Sequence, residues 1–185
     1  DWEIDRFITK AAFTTLTNVN FDPERISKLI FEAVEKRKVL QKLVNLNISE
    51  GPAVFEPDPL IENMVQQGRT VGIKSEPDEG SDIHSLRWTL IYCIKGISAY
   101  ADHASILGKE DAQVYAFIEE ALAAAANYDL GLNDYLNLVI KAGEINLRAM
   151  ELLDSANTSN YGNPIPTNVP LGNKKGKAIL VSGHD

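Results

Sequence analysis

Apolar residues recur at helical spacing through most of the chain, and the pattern predicts six helices. The first runs from Trp2 to about Thr17, with Ile4, Phe7, Ile8, Ala11 and Ala12 sharing a face. Asn18 and Asn20 break it. Asp22-Pro23 then offers a capping carboxylate followed by a proline at the first helical position. The second helix, Pro23 to about Val44, carries Ile26, Leu29, Ile30, Ala33, Val34, Leu40, Leu43 and Val44 on a stripe interrupted only by Arg37. This is the clearest amphipathic pattern in the sequence.

Residues 45–81 are less regular, because Gly51, Pro52, Pro57 and Pro59 interrupt any long helix. A short helix from Pro59 to Gln67 is expected, with Leu60, Ile61, Met64 and Val65 inward. Glu76 to Gly80 reads as a solvated acidic loop. Asp82 or Ser81 caps a long helix to about Leu107, closed by Gly108, with Leu86, Leu90, Ile91, Ile94, Ile97, Ala101 and Ile106 as its core face. A further helix spans Lys109 to Ala126. Its inward residues are Val114, Phe117, Ile118, Ala121, Leu122 and Ala125, and its run of alanines allows a neighbouring helix to approach closely. Asn133 caps the last helix, to about Leu153, with Leu136, Val139, Ile140, Gly143, Leu147 and Met150 on its face.

Beyond Asp154 the period is lost. A connecting loop rich in Gly, Pro and Asn is expected over 154–177, stiffened by Pro164, Pro166 and Pro170 and anchored by Tyr161. Ala178 to Val181 is a short apolar run that reads as a buried strand turning at Gly183, and 178–185 is expected to be the first strand of an α/β domain. A buried strand needs partner strands, and the sequence offers no other convincing one, so a piece of a longer protein is expected. The fold class is therefore mainly α: two helical bundles, about 1–67 and 82–153, in one domain (1–153), then the loop and the single strand.

Charge and composition narrow the function classes. A formal charge of −8 leaves no basic field for nucleic-acid phosphates. No apolar run approaches the roughly 20 residues that cross a bilayer, so no membrane partner is expected. Cys93 is the only cysteine, which excludes an internal disulfide and fits a reducing cytoplasm.

Few residues carry recognisable chemistry. His84 and His103 read as surface or packing residues, and Cys93 as a structural thiol within an apolar helix. The pairs Glu110-Asp111 and Glu119-Glu120 point apart on a helix and are assigned no catalysis. Arg87, Trp88 and Tyr92 are candidates for a helix–helix or interdomain surface, Trp88 more as core. His184 stands out by its place, just past a strand and beside Gly183, where ligand sites of α/β sheets gather.

Four segments carry a family resemblance: FTTLTNVNFD at 13–22, LIYCIKGISAYADHASILG at 90–108, LLDSANTSNYGNPIPTNV at 152–169 and KAILVSGHD at 177–185. In their order along the chain they resemble the N-terminal helical domain of the hybrid-cluster (prismane) proteins, also called hydroxylamine reductases. The resemblance implies a full-length protein with two centres: a 4Fe-4S (or 2Fe-2S) cluster on cysteines absent here, and a hybrid iron–sulfur–oxygen cluster. His184 in the SGHD motif is the implied metal and cofactor-binding residue, and the other ligands have no counterpart. It further implies reduction of hydroxylamine to ammonia and water, or of nitric oxide in nitrosative-stress defence, with electrons from a reductase whose basic patch meets the acidic surface. No cluster is expected on these residues alone, and no activity. A non-enzymatic helical interaction module and a carbon-monoxide-dehydrogenase-like helical domain are the alternatives.

Overall fold

Six α-helices account for most of the described residues, which in this computed structural model are 2–16, 21–44, 51–72, 80–173 and 175–179. In chain order they are α1 (Trp2–Phe13), α2 (Pro23–Val44), α3 (Ile61–Gly68), α4 (Ser81–Ile106), α5 (Ala112–Ala125) and α6 (Leu132–Tyr161), with a 3-10 turn at Gly51–Val54 before α3. The mainly α expectation holds, and no strand occurs among the described residues. The strand expected at 178–185 lies outside the described residues from Leu180 onward. Ala178 and Ile179 lead toward it as exposed, irregular chain.

The core is organised by α4. Arg87, Leu90, Ile94, Ile97, Ala101 and Ala104 are buried at alternating spacings of three and four, a heptad seam along one side of the helix. Helix α6 meets α4 through the most extensive helix–helix contact among the described residues. Its buried residues are Tyr135, Ala142, Ala149 and Ala156, one in every seven. Side chains at the crossing set the distance between helices, so a methyl group at three of these points lets the backbones come close. Val114, Phe117, Ile118 and Ala121 of α5 complete the cluster, and Ile8 and Ala12 of α1 pack on its edge.

Helix α1 packs on α4 and α5, although its place in the sequence groups it with α2. The fastenings are specific. The Trp2 ring meets Tyr115 edge-on at 5.8 Å, Phe13 meets His103 at 5.2 Å, and the Arg6 guanidinium grips Glu110 through Nε at 2.5 Å and Nη2 at 2.6 Å.

Two expectations for α6 need correction. Of the face expected inward, Leu136, Ile140, Gly143, Leu147 and Met150 are exposed and Val139 packs half-buried against the core; the fully buried face is the alanine one. Bulk along one side of a helix normally marks the core side, but here close backbone approach to α4 selects the small residues. The helix also continues past Leu153 to Tyr161. In that last stretch Thr158 Oγ1 donates to the Asp154 carbonyl at 2.8 Å and Ser159 Oγ to Ser155 at 2.6 Å. Asn160 Nδ2 donates to the Ala156 carbonyl at 2.8 Å and, across the bundle, to that of Leu107 at 3.2 Å. Side chains that favour loops when solvated are thus spent on helical carbonyls, while Ala156 is buried beneath them.

Termini follow local chemistry. Asp22 Oδ1 accepts from the Arg25 N–H at 3.0 Å, as its position before Pro23 predicts. Asp111 Oδ1 caps α5 through the N–H groups of Gln113 and Val114. Gly108, at φ +80°, reverses the chain after α4 where a side chain would be strained. Helix α6 starts at Leu132, two residues earlier than a cap at Asn133 implies: Gly131 is the cap, and its N–H donates to Asp134 Oδ2 at 2.9 Å.

The α2–α3 region is built differently. Only Ser27 and Val34 of α2 are buried. Arg37, the polar exception on its apolar stripe, donates to the Pro52 carbonyl at 3.0 Å, the Phe55 carbonyl at 2.7 Å and Glu56 Oε1 at 2.9 Å. Gln41 reaches the Ala53 carbonyl, and Gln67 of α3 bridges the Glu56 carbonyl and the Asp58 N–H.

Candidate functional site

The residue singled out by the sequence, His184, lies outside the described residues, together with the SGHD motif that contains it. Its described approach begins where α6 stops. Gly162 adopts φ +79°, and residues 163–173 and 175–179 run on without helix or strand. Tyr161, expected to anchor this segment, is 76% exposed and does not. Ile165, Val169, Leu171 and Ile179 are exposed along it as well.

The other candidate ligands are scattered by the geometry of one helix. His84, Cys93 and His103 all lie on α4, at successive separations of about 13 Å and about 15 Å for a rise of 1.5 Å per residue. Metal–ligand bonds of roughly 2 Å cannot bridge such gaps. The rings of His84 and Trp88 meet edge-on at 6.4 Å, and His103 packs on Phe13. Both histidines are half-buried. The Cys93 thiol is half-buried, and burial raises its pKa, which favours retention of its proton over ligation as thiolate. No group of three or more His, Cys, Asp or Glu side chains among the described residues is placed to hold a metal ion.

The carboxylate pairs separate into four different environments. Glu110 accepts from Arg6 and from the Tyr115 hydroxyl, and the Arg6 hydrogen bond holds its pKa below the usual range. Asp111 caps α5 and receives Arg148 Nε at 2.7 Å. Glu120 pairs with Lys141 at 2.6 Å. Glu119 lines a small apolar recess with Ile4, Ile8, Leu40, Leu122 and Asp5, where burial first and Asp5 second push its carboxyl up. No two of the four face one another as an acid–base couple would.

A groove of about 640 Å³ lies between α1, α2 and the end of α4, lined by Lys10, Phe13, Ile26, Leu29, Asp102 and Ile106 among others. Burial raises the Asp102 carboxyl there, against the opposing charges of Lys10 and His103. Its lining mixes both signs without a convergent set of donors.

One buried polar cluster sits where the start of α4 meets the start of α6. Arg87, a candidate for a helix–helix or interdomain surface, is 1% exposed where α4 meets α6. Its Nε donates to the Tyr135 hydroxyl at 3.1 Å, and its guanidinium lies over the rings of Tyr128, at 4.2 Å, and Tyr135. The Tyr135 hydroxyl shares its proton between the Ala124 and Asn127 carbonyls at 2.9 and 2.8 Å. The cluster joins the start of α4, the α5–α6 turn and the start of α6. Its role is architectural. The spacing of Arg87 three residues before Leu90, in register with the seam, is the signal that places it inward.

Iron–sulfur centres draw mainly on cysteine thiolates. With one protonated thiol and no ligand cluster, the described residues do not fit such a centre. No described helix is long and apolar enough to cross a membrane.

Comparison with known proteins bears on the whole chain. The model of the Prismane/CO dehydrogenase family matches residues 2–185. A protein named hydroxylamine reductase from Syntrophobacter fumaroxidans is 55% identical over 190 residues, covering 100% of this chain and 35% of that protein. Its namesake from Solidesulfovibrio magneticus is 55% identical over 183 residues, 99% of this chain and 34% of that protein. A third, from Methanocella arvoryzae, is 50% identical over 189 residues, with 99% and 35% covered. The chain spans about a third of the length of these curated relatives.

Proposed function

The chain belongs to the Prismane/CO dehydrogenase family, and on that premise we propose that it works as the helical part of a longer iron–sulfur enzyme that reduces hydroxylamine. The observation that carries this reading is the 55% identity, through essentially the whole chain, to proteins named hydroxylamine reductase. Hydroxylamine takes up two electrons and two protons as its N–O bond breaks. Nitrogen leaves as ammonia and oxygen as water. Iron–sulfur centres supply one-electron steps and a Lewis-acidic iron for such chemistry.

Within this chain the proposed contribution to the active centre is narrow. His184 is the residue proposed to hold iron, through a neutral imidazole nitrogen, an ordinary iron ligand. The helices shield the centre from solvent and wall the approach of the substrate. A net charge of −8 suits an electron-donating reductase with a basic docking face, because complementary charge steers encounter. The lone cysteine fits a cytoplasmic setting.

The test uses the full-length protein, prepared anaerobically. Iron and acid-labile sulfide are measured beside hydroxylamine-dependent oxidation of reduced methyl viologen and the ammonia formed. The expected result is iron and sulfide for two centres with stoichiometric ammonia. His184→Ala should lower turnover by about tenfold or more and remove iron from one centre only. A parent without iron overturns the reading. Because the family also takes its description from CO dehydrogenase, CO-dependent viologen reduction without hydroxylamine turnover moves the assignment to that chemistry. Faster turnover of nitric oxide changes the substrate and leaves the centre as proposed.

A further inference from the structure

Helix α6 carries a second apolar face that nothing among the described residues covers. Leu132, Leu136, Ile140, Leu147 and Met150 are each between 43% and 63% exposed. At 3.6 residues per turn they fall within about 80° of arc, and the stripe runs roughly 27 Å along the helix. Gly143 falls in the same arc, and the stripe contains no charged residue from Leu132 to Met150. The neighbouring arc is polar, with Lys141, Glu144, Arg148 and Glu151 exposed. The opposite flank is the alanine face already committed to α4. A continuous apolar stripe with a charged border is a face fit for docking, although by size alone it is no larger than the patches ordinary monomers expose.

We infer that this stripe is the seat of the additional polypeptide present in the longer members of the family, so that α6 is a central strut packed on both flanks and not a surface helix. Two observations select this occupant. About two thirds of each curated relative lies outside the match to this chain and needs a surface on which to dock. The second is area. A stripe one helix wide and about 27 Å long offers roughly 270 Å², whereas a stable complex of separate chains buries about 800 Å² on each partner. A second copy would be short of that, but a segment of the same polypeptide is not, because covalent connection removes most of the entropic cost of association. The inference rests on family membership and length, and stands whether or not hydroxylamine is the substrate.

Carbene footprinting of the full-length protein tests it, with residue-level readout by tandem mass spectrometry and light scattering on the same samples. Labelling of Leu136, Ile140, Leu147 and Met150 is expected to fall about fivefold or more below that of the urea-unfolded protein. Glu144, on the polar border, should stay labelled, and the protection should persist on dilution with the protein monomeric. Labelling of the stripe as strong as that of Glu144 overturns the inference. Protection that disappears as an oligomer dissociates also overturns it, and assigns the stripe to a second copy.

Discussion

The α4–α6 seam and the α2–α3 region are held together in opposite ways. In the first, Leu90, Ile94 and Ile97 meet an alanine face, and most of the contact is apolar. In the second, one guanidinium and two amides hold irregular chain by its carbonyls, while Leu43 and Val44 remain largely exposed. Both helices read as amphipathic in the sequence, yet only one buries its stripe. Apolar periodicity says that a helix has a side to hide; it does not say what hides it. The seam derives its strength from volume, and the α2–α3 region from directed hydrogen bonds.

The largest separation of the two should come from core truncation. Ile94→Ala is expected to cost about 2–5 kcal/mol, and Ala149→Leu, which forces the helices apart, about 1–3 kcal/mol, by urea denaturation followed by circular dichroism. Leu43→Ala, an equal loss of bulk on α2, should change stability by no more than about 0.5 kcal/mol. A comparable loss at Leu43 would mean that α2 is packed as tightly as α4. Next in size, Arg37→Ala should cost about 1–3 kcal/mol by freeing carbonyls that share a charged donor. Arg37→Lys, which keeps the charge but loses the fork, should recover little of it. Proteolytic cleavage is then expected within 51–58 before any cut in α4 or α6, and simultaneous cleavage would join the two regions into one cooperative unit.

The smallest effect is one of pH. Arg6 lowers the folded pKa of Glu110, so its contribution is complete above the unfolded value of about 4.3 and is lost as pH falls through the folded one. Asp102 and Glu119 are raised by burial and act with opposite sign: they oppose folding once ionised, and acidification relieves them. Glu110→Gln should therefore flatten the acid limb of the stability curve below the unfolded value. An unchanged limb would show that the Arg6 pair contributes nothing.

Most helices were legible because their stop and start signals are local. Gly108 announces the end of α4, and Asp22-Pro23 the start of α2. What was misread depends on neighbours. The alanine face of α6 loses to its leucine face on any hydrophobicity scale and wins only because α4 comes close. Residues 154–161 hold the polar side chains of a loop, and it takes the Leu107 carbonyl and the burial of Ala156 to make them a helix. Arg87 was placed at a helix–helix surface, and its register on the seam is what buries so polar a residue at that contact. Of the candidate site, the sequence supplied His184 as an expectation, and the described residues show only that His84, Cys93 and His103 of α4 stand too far apart to share one metal ion.

The spacing of the small residues in α6 carries a consequence of its own. Ala142, Ala149 and Ala156 repeat every seven positions, so sliding the helix by seven residues, about 10.5 Å, would set alanine against nearly the same surface again. The seam is a ruler with identical marks. The polar partners break the degeneracy. Lys141 reaches Glu120 and Arg148 reaches Asp111 along the way. The ends are set by Tyr135, which must find the Ala124 and Asn127 carbonyls, and Asn160, which must find that of Leu107. Those four side chains tell α6 where to stop sliding, and with that they fix the address at which Gly162 hands the polypeptide onward.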